Sequence, residues 1–493
     1  MSIPQDLWQG EYDRLFIGGR WVRPSSDRRI QVISPSSEDI IASVPEAVEA
    51  DIDAAITRAR EAFDHGPWPR LSLEERLAVV RRFSAGIEER VEDIAKLVTA
   101  EMGCPITLSR SYQATLPRLM TDTFIESAQR YPWVDTRTSD TGNALVTREP
   151  VGVVAAIIPW NAPLLTSILK VVPALIAGCT VVLKPTPETP LDAYLLADQL
   201  QRAGLPEGVL SVVPAQREVS EYLVRHPGID KVSFTGSTAA GRRIAAICGE
   251  EIRRCTLELG GKSAALLLED ADFDAAIAAI RAVSLRNSGQ VCSNKTRIVV
   301  ARPRLAELNE RLVQMIESMP VGDPFDAATE IGPLANRNQR ERVERYIAEG
   351  KNSGATLLIG GDRPSGLDRG FYISPTVFTD VDPNSRIAQE EIFGPVLTVH
   401  AFDTEEEAVA IANNSDYGLS GSVFAGEPER ALGVARRIRT GTVEVNGSPG
   451  GFAAPIGGFK RSGIGRESGM EGFDAYVEVK SYGLPREVFD RLR

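Results

Sequence analysis

Histidine is scarce in this chain of 493 residues. There are three, His65, His226 and His400. None has a metal-ligand spacing, and none supports a Cys–His protease-type pair. Cysteine is also sparse. Cys104, Cys179, Cys248, Cys255 and Cys292 are odd in number, scattered and without a C-x-x-C pair. Neither a disulfide framework nor a structural zinc site is expected, and a reducing, cytoplasmic compartment is. Four of the five are expected to be small core residues. There is no block of basic residues, and the formal net charge is −12. Nucleic acid and membrane surfaces are therefore not expected as partners. Long hydrophobic runs are missing too. The apolar stretches at 151–158 and 171–183 fall short of the about 18 residues that suggest a membrane span, and Pro173 and Gly178 interrupt the second. Residues 1–14 contain no apolar h-region of a secretory signal. No internal repeat or low-complexity tract is visible.

What is there reads as an ordinary globular protein, 43% hydrophobic and 25% charged, with length for roughly three domains. Short strands are expected at 16–22 and 30–33, and a helix at 50–63. A helical stretch at 72–101 should divide in two, with Ser72 and Glu75 as a capping box. From 151 onward strands and helices alternate. Strands are expected at 151–158, 180–184, 209–213 and 231–235, and helices at 166–177, 191–203 and 237–248. This is the pattern of a parallel, doubly wound α/β sheet. A second series follows Gly260, with strands at 264–268, 296–301, 396–400 and 441–445. Its helices are expected at 273–288, 304–319, 337–349 and 405–413. The two lobes should meet near 258–261. The segment 131–150 is polar and interrupted, and 476–482 alternates like an edge strand.

Phosphate-binding motifs are weak. Gly463 and Gly465 lack a glycine at the right spacing, and Gly261-Lys262-Ser263 has Thr256 where a P-loop needs glycine. Phe234-Thr235-Gly236-Ser237, at a strand end and opening a helix, is the better pyrophosphate candidate, although a plain tight turn reads the same. Cys292 ends Asn287-Ser288-Gly289-Gln290-Val291-Cys292, where glycine beside a small polar residue lets a turn expose the thiol; buried filler is the alternative. Glu258 stands between Leu257 and Leu259. It is a surface charge at a strand edge, or a partly desolvated carboxylate suited to general-base work. Asn161 lies between prolines just after the apolar strand. It makes an ordinary turn or offers a side-chain amide to an oxyanion.

Taken in order, seven segments of the chain resemble the aldehyde dehydrogenase superfamily. They are Phe16-Ile17-Gly18-Gly19-Arg20-Trp21, Pro159-Trp160-Asn161, Phe234-Thr235-Gly236-Ser237, Leu257-Glu258-Leu259-Gly260-Gly261-Lys262, Gly289-Gln290-Val291-Cys292, Glu391-Ile392-Phe393-Gly394-Pro395 and Gly457-Gly458-Phe459-Lys460-Arg461-Ser462-Gly463. The resemblance implies a Rossmann-like cofactor lobe (1–130 and 151–257), an α/β catalytic lobe (258–445) and a small β oligomerisation unit (131–150 and 470–493). Residues 446–469 would return to the cofactor lobe. It implies oxidation of a small-molecule aldehyde to a carboxylic acid by a homodimer or homotetramer. Cys292 would form a thiohemiacetal and then a thioester, Asn161 would hold the oxyanion and Glu258 would activate the hydrolytic water. Lys170 and Glu467 match positions that assist proton transfer. Ile158, Trp160, Lys184, Gly236, Ser237, Gly260, Glu391 and Phe393 match positions around the cofactor, NAD with NADP also admitted.

The chain departs from the family in two places. Pro187 stands where NAD-preferring members often carry Glu, with Glu188 beside it. Ala162 replaces the aromatic that often follows the oxyanion Asn, which should widen the substrate tunnel. Leu165, Thr166, Leu169 and Val291 would make its wall aliphatic. Arg286 is the exception in that wall. It resembles one of two arginines of succinic semialdehyde dehydrogenases, the second being Leu169 here, and its alternative is a helix residue facing solvent or a salt bridge. Two other readings remain. A CoA-acylating member generally lacks the base that Glu258 supplies, and a fold-only structural protein would not need Cys292, Glu258 and Asn161 together.

Overall fold

The apolar run at 151–158 becomes the middle strand of an eight-stranded sheet, Val153–Ile157, buried at every position. A strand covered on both faces needs side chains that desire no water, and this segment has no others. The computed structural model describes residues 12–492. Most of the segment 1–14 read for a targeting signal therefore lies outside the described residues, as does Arg493.

In the first sheet, Thr180–Lys184 and Leu210–Val212 lie to one side of Val153–Ile157, and Lys231–Thr235 and Arg254–Glu258 to the other, all parallel. The chain thus reverses its winding direction between Val153–Ile157 and Lys231–Thr235, which opens a crevice at their carboxyl ends. Antiparallel strands close both sides: Leu15–Ile17 pairs with Leu210–Val212, and Gly463–Ile464 with Arg254–Glu258. The single strand expected at 16–22 is two strands, Leu15–Ile17 and Arg20–Val22, with Gly18-Gly19 as the turn. Arg254–Glu258 was not anticipated. Because it has neighbours on both sides, Glu258 is not a surface charge at a strand edge; it is 7% exposed.

The second sheet has seven strands, ordered Thr356–Ile359, Thr376–Thr379, Val396–Phe402, Lys295–Ala301, Ser263–Leu267, Gly421–Phe424 and Glu444–Val445. All neighbours are parallel except the first pair. It is wound like the first, with Ser263–Leu267 at the reversal. A third sheet, antiparallel, joins Val134–Ser139, Gly142–Pro150 and Val477–Leu484. It holds both the polar segment and the alternating one.

Helices cover the sheets largely where the periodicity puts them. The stretch at 72–101 divides in two as expected, into Leu73–Glu89 and Val91–Met102, and Ser72 Oγ accepts from the Glu75 amide while the Glu75 carboxylate accepts from the Ser72 amide. Pro163–Ala177 starts three residues before expectation, because Pro163 fits the first helical position where no N–H is needed. All fifteen of its residues are buried. The helix expected at 273–288 stops at Val283, freeing the following residues for the turn described next. Among the described residues, no helix is long and apolar enough to cross a membrane.

Candidate active site

The carboxyl ends of the first sheet face the amino ends of the second across a cavity of about 390 Å3. The first sheet contributes Trp160 and Asn161 after Val153–Ile157, Gly236 and Ser237 after Lys231–Thr235, and Glu258 at the end of its strand. The second contributes Gly260 before Ser263–Leu267, Val291 and Cys292 before Lys295–Ala301, and Glu391 and Phe393 before Val396–Phe402.

Cys292 is half-buried and lines this cavity. The turn that presents it runs through three consecutive left-handed residues, Asn287, Ser288 and Gly289, with φ of 55°, 56° and 78°. Only glycine fits the third: a Cβ there would lie 2.0 Å from the Gly394 carbonyl oxygen. Side chains pin the rest. Ser288 Oγ donates to the Gly332 carbonyl at 2.9 Å, Gln290 Oε1 accepts from the Ala335 amide at 2.9 Å, and Asn294 Nδ2 donates to the Arg286 carbonyl at 3.1 Å. Burial pushes the Cys292 thiol up to about 12, and the charges of Glu391 and Glu258 add to that.

Asn161 is 8% exposed and is no ordinary turn residue. Its carbonyl accepts from Gln113 Nε2 and Asn287 Nδ2, each at 3.0 Å. Its Nδ2 donates to the Gln290 carbonyl at 2.9 Å, which ties it to the Cys292 turn. An amide nitrogen carries two N–H groups, so a second donor remains on a side chain that lines the cavity.

Glu258 Oε1 is buried without a hydrogen-bond partner. It faces Gly457, where a Cβ would come within 2.9 Å of it. Burial raises the carboxyl's pKa well above the usual range and the charge of Glu467 raises it further, while Lys170 and Arg466 pull it back. Lys170 Nζ donates to Glu467 Oε1 at 2.6 Å, with both side chains almost fully buried. Ser233 Oγ also donates to Glu467 Oε1, at 3.4 Å.

The nucleotide end is built from backbone. Gly236 and Ser237 precede helix Thr238–Glu250, and Ser237 Oγ caps it by accepting from the Ala240 amide. Glu391 Oε1 accepts from the Gly261 amide at 3.0 Å, and a Cβ on Gly260 would meet Glu391 Oε2 at 2.3 Å. Phe393 meets Trp160 edge to face at 5.4 Å. Lys184 is buried, which lowers its pKa to about 8 against the opposing charge of Glu188.

A model of the aldehyde dehydrogenase family matches residues 21–482. The chain belongs to that family. Geranial dehydrogenase of Castellaniella defragrans is 44% identical over 475 residues, covering 96% of this chain and 99% of that one. The crystal structure of a Mycobacterium tuberculosis aldehyde dehydrogenase complexed with NAD+ superposes with a TM-score of 0.95 at 47% identity, covering 96% of this chain and 98% of that chain. Aldehyde dehydrogenase C of Pseudomonas syringae, a cysteine-to-alanine variant complexed with NAD+ and octanal, gives 0.93 at 42% identity, covering 96% of each chain. This aldehyde dehydrogenase is thus an oxidoreductase acting on aldehydes, with the mixed α/β fold of its family.

Most residues read from the sequence line the enzyme's cavity, including Ala162, Leu165, Thr166, Leu169, Val291 and Arg286. Three do not. Ile158 has its side chain in the core, Lys184 lies beyond the cavity wall, and Lys170 reaches it only through Glu467. Arg286 is half-exposed and, among the described residues, forms no ion pair: its guanidinium lies 5.4 Å from the Tyr112 ring centroid and its Nε donates to the Ala282 carbonyl. Cys255, expected as core filler, is half-exposed. Sequence reasoning missed Tyr112, Leu116, Phe452 and Ile456, which complete the apolar end of the cavity. Phe452, an aromatic next to Gly450-Gly451, was the one such residue with a local signal.

Proposed function

We propose that this dehydrogenase oxidises an apolar aliphatic aldehyde to its acid with NAD, through a thioester on Cys292 hydrolysed by Glu258. The observation that carries this is the convergence of Cys292, the Asn161 amide and the partnerless Glu258 carboxylate oxygen on one cavity. The Cys292 sulfur attacks the aldehyde carbon. The Asn161 side-chain N–H and the Cys292 backbone N–H hold the oxygen that becomes anionic. Glu258, whose raised pKa suits it to accept a proton, takes one from the water that attacks the thioester. Glu467 and Lys170 pass that proton onward from behind Glu258. A thiol pushed up to about 12 needs a base or a cation nearby to ionise, and Glu258 is the base at hand.

The residues present fit a dinucleotide. The N-terminus of the thirteen-residue helix Thr238–Glu250, which follows Gly236 and is capped by Ser237, suits a pyrophosphate. Gly260 leaves room for the Glu391 carboxylate on the cavity wall, and Glu391 there, next to Phe393 and Trp160, suits a ribose and ring. Bound there, the dinucleotide supplies the hydride acceptor that turns the thiohemiacetal into the thioester. Lys184 would meet the adenine ribose, and the Glu188 charge near it disfavours a 2′-phosphate, so NAD is preferred and NADP tolerated.

Leu116, Leu165, Leu169, Val291, Phe452 and Ile456 favour an aliphatic substrate tail; the Pseudomonas syringae relative's complex with octanal agrees. We assign residues 1–130, 151–257 and 446–469 to the cofactor lobe, 258–445 to the catalytic lobe, and 131–150 with 470–493 to assembly. Val477–Leu484 pairs on one side only, with Gly142–Pro150, and leaves Val479 61% exposed. Such an edge is a template for a second chain, which supports our reading of a homodimer or homotetramer; we place it in the cytoplasm on its sparse, scattered cysteines. The test is an absorbance assay of reduced cofactor with octanal, run with NAD, with NADP and with added CoA. NAD-dependent, CoA-independent release of octanoate is expected. Accumulation of octanoyl-CoA would instead mark an acylating enzyme.

A further inference from the structure

A second pair of reactive groups lies behind the cofactor helix. Cys248 is in the last turns of helix Thr238–Glu250, and Cys255 is in the strand Arg254–Glu258 that follows. Both pack in one apolar cluster, and the turn between them folds back on the helix, with the Arg253 amide donating to the Cys248 carbonyl at 2.7 Å. Cys248 is buried, while Cys255 is half-exposed on the wall of a separate cavity of about 460 Å3. Lys231 and Arg254 line that cavity as well. Lys231 is held in place by Thr256, to whose Oγ1 its Nζ donates at 2.7 Å. The neighbouring Cys248 thiol and the charge of Lys231 both favour the thiolate at Cys255, against burial. The two remaining thiols outside the active site, Cys104 and Cys179, are buried in the core and pushed up to about 12 and about 11 by that burial.

We propose that Cys255 and Cys248 form a peroxide-reactive dithiol, in which Cys255 attacks and Cys248 resolves the product as an intramolecular disulfide. The Cys255 thiolate attacks one peroxide oxygen. The O–O bond breaks, and hydroxide leaves and takes a proton to become water. The Cys255 sulfur is oxidised to sulfenic acid as the peroxide is reduced. The Cys248 sulfur then attacks the Cys255 sulfur, the S–O bond breaks, and the hydroxyl leaves as a second water with the Cys248 proton. The pair gives up two electrons, and a small thiol returns them. The site is a reversible modification point: resolution by Cys248 stops Cys255 short of the irreversible sulfinic acid. The bridge would tie the helix that begins at Ser237 to the strand that ends at Glu258.

The test uses the full chain carrying Cys292→Ser, so that the active-site thiol drops out of the readout. The protein is treated with hydrogen peroxide, digested with trypsin without reduction and analysed by mass spectrometry. Cleavage after Arg253 and Arg254 separates the two cysteines unless they are bridged. The expected result is one joined peptide, two hydrogens lighter than the separate thiol peptides and lost on treatment with dithiothreitol. With Cys248→Ser added, Cys255 should instead advance to sulfinic acid. Oxidation of Cys255 to the same extent and the same product with and without Cys248, or two thiols left unmodified by peroxide, overturns the proposal.

Discussion

The two large sheets share a winding pattern but offer opposite ends to the same cavity. The first presents carboxyl ends at its reversal point, between Val153–Ile157 and Lys231–Thr235. The second has its own reversal point, between Ser263–Leu267 and Gly421–Phe424, and side chains bridge its carboxyl ends. Arg430 bridges Glu269 and Asp270 there, at 3.0 and 2.8 Å, and Asn446 seals the Ala425 backbone with two hydrogen bonds. Its amino ends do the work instead, with Cys292, Glu391 and Phe393 each just ahead of a strand. Cys292 sits where a loop enters a sheet, on a turn held by side-chain hydrogen bonds.

Each half of the site can be broken separately. On the amino-end side, Cys292→Ala should remove turnover while leaving fold and NAD binding in place. Loss of a covalent nucleophile is felt on the order of 10^4-fold or more in kcat, and a steady-state assay beside NAD fluorescence titration would show it. On the carboxyl-end side, Glu258→Gln should lower the steady-state rate by about 10^2- to 10^4-fold, the range for a lost general base, and stopped-flow should still record a burst of reduced cofactor. Glu258 acts only when ionised. Because its pKa is raised, wild-type turnover should climb as pH rises through that value, and the variant should lose this limb.

Asn161 joins the two halves through its bond to the Gln290 carbonyl. Asn161→Ala should cost about 10^2- to 10^3-fold in kcat, as for one oxyanion donor. A comparable loss of thermal stability would instead make it a strut. The smallest effect should come from the ribose end. Pro187→Glu adds a carboxylate facing the same ribose as Lys184, and the NAD-over-NADP ratio in kcat/KM should rise about tenfold, equivalent to roughly 1.4 kcal/mol. Use of NADP by the wild type should also weaken as pH rises through about 8, where Lys184 loses its charge. A ratio unmoved by either change would remove this segment from cofactor choice.

The difference between the halves also decided what could be read from the sequence. Thr180–Lys184 and Lys231–Thr235 are uniform or nearly uniform buried strands between clear turns, and both match expectation end to end. The carboxyl-end rule then points to Asn161 and Gly236 without further help. In the second lobe, Thr376–Thr379 and Gly421–Phe424 are four-residue strands with no periodicity to detect, and they were missed. The burial of Glu258 depends on Gly463–Ile464 pairing beside it from about two hundred residues away, which local reading does not reach. Tyr112 and Leu116 were missed for a similar reason. They lie at 106–130, where a π-helical stretch, Ser109–Thr115, leads into helix Leu116–Arg130 across polar residues and Pro117.

The central claim is that the two sheets bring Cys292 and Glu258 to a single thioester. The most direct test is intact and peptide mass spectrometry of Glu258→Gln quenched shortly after mixing with NAD and octanal. An octanoyl group on the Cys292 peptide, present in the variant and absent from wild type at the same time point, is the predicted result. An unmodified Cys292 peptide, with NAD reduced at the wild-type rate, would contradict the account.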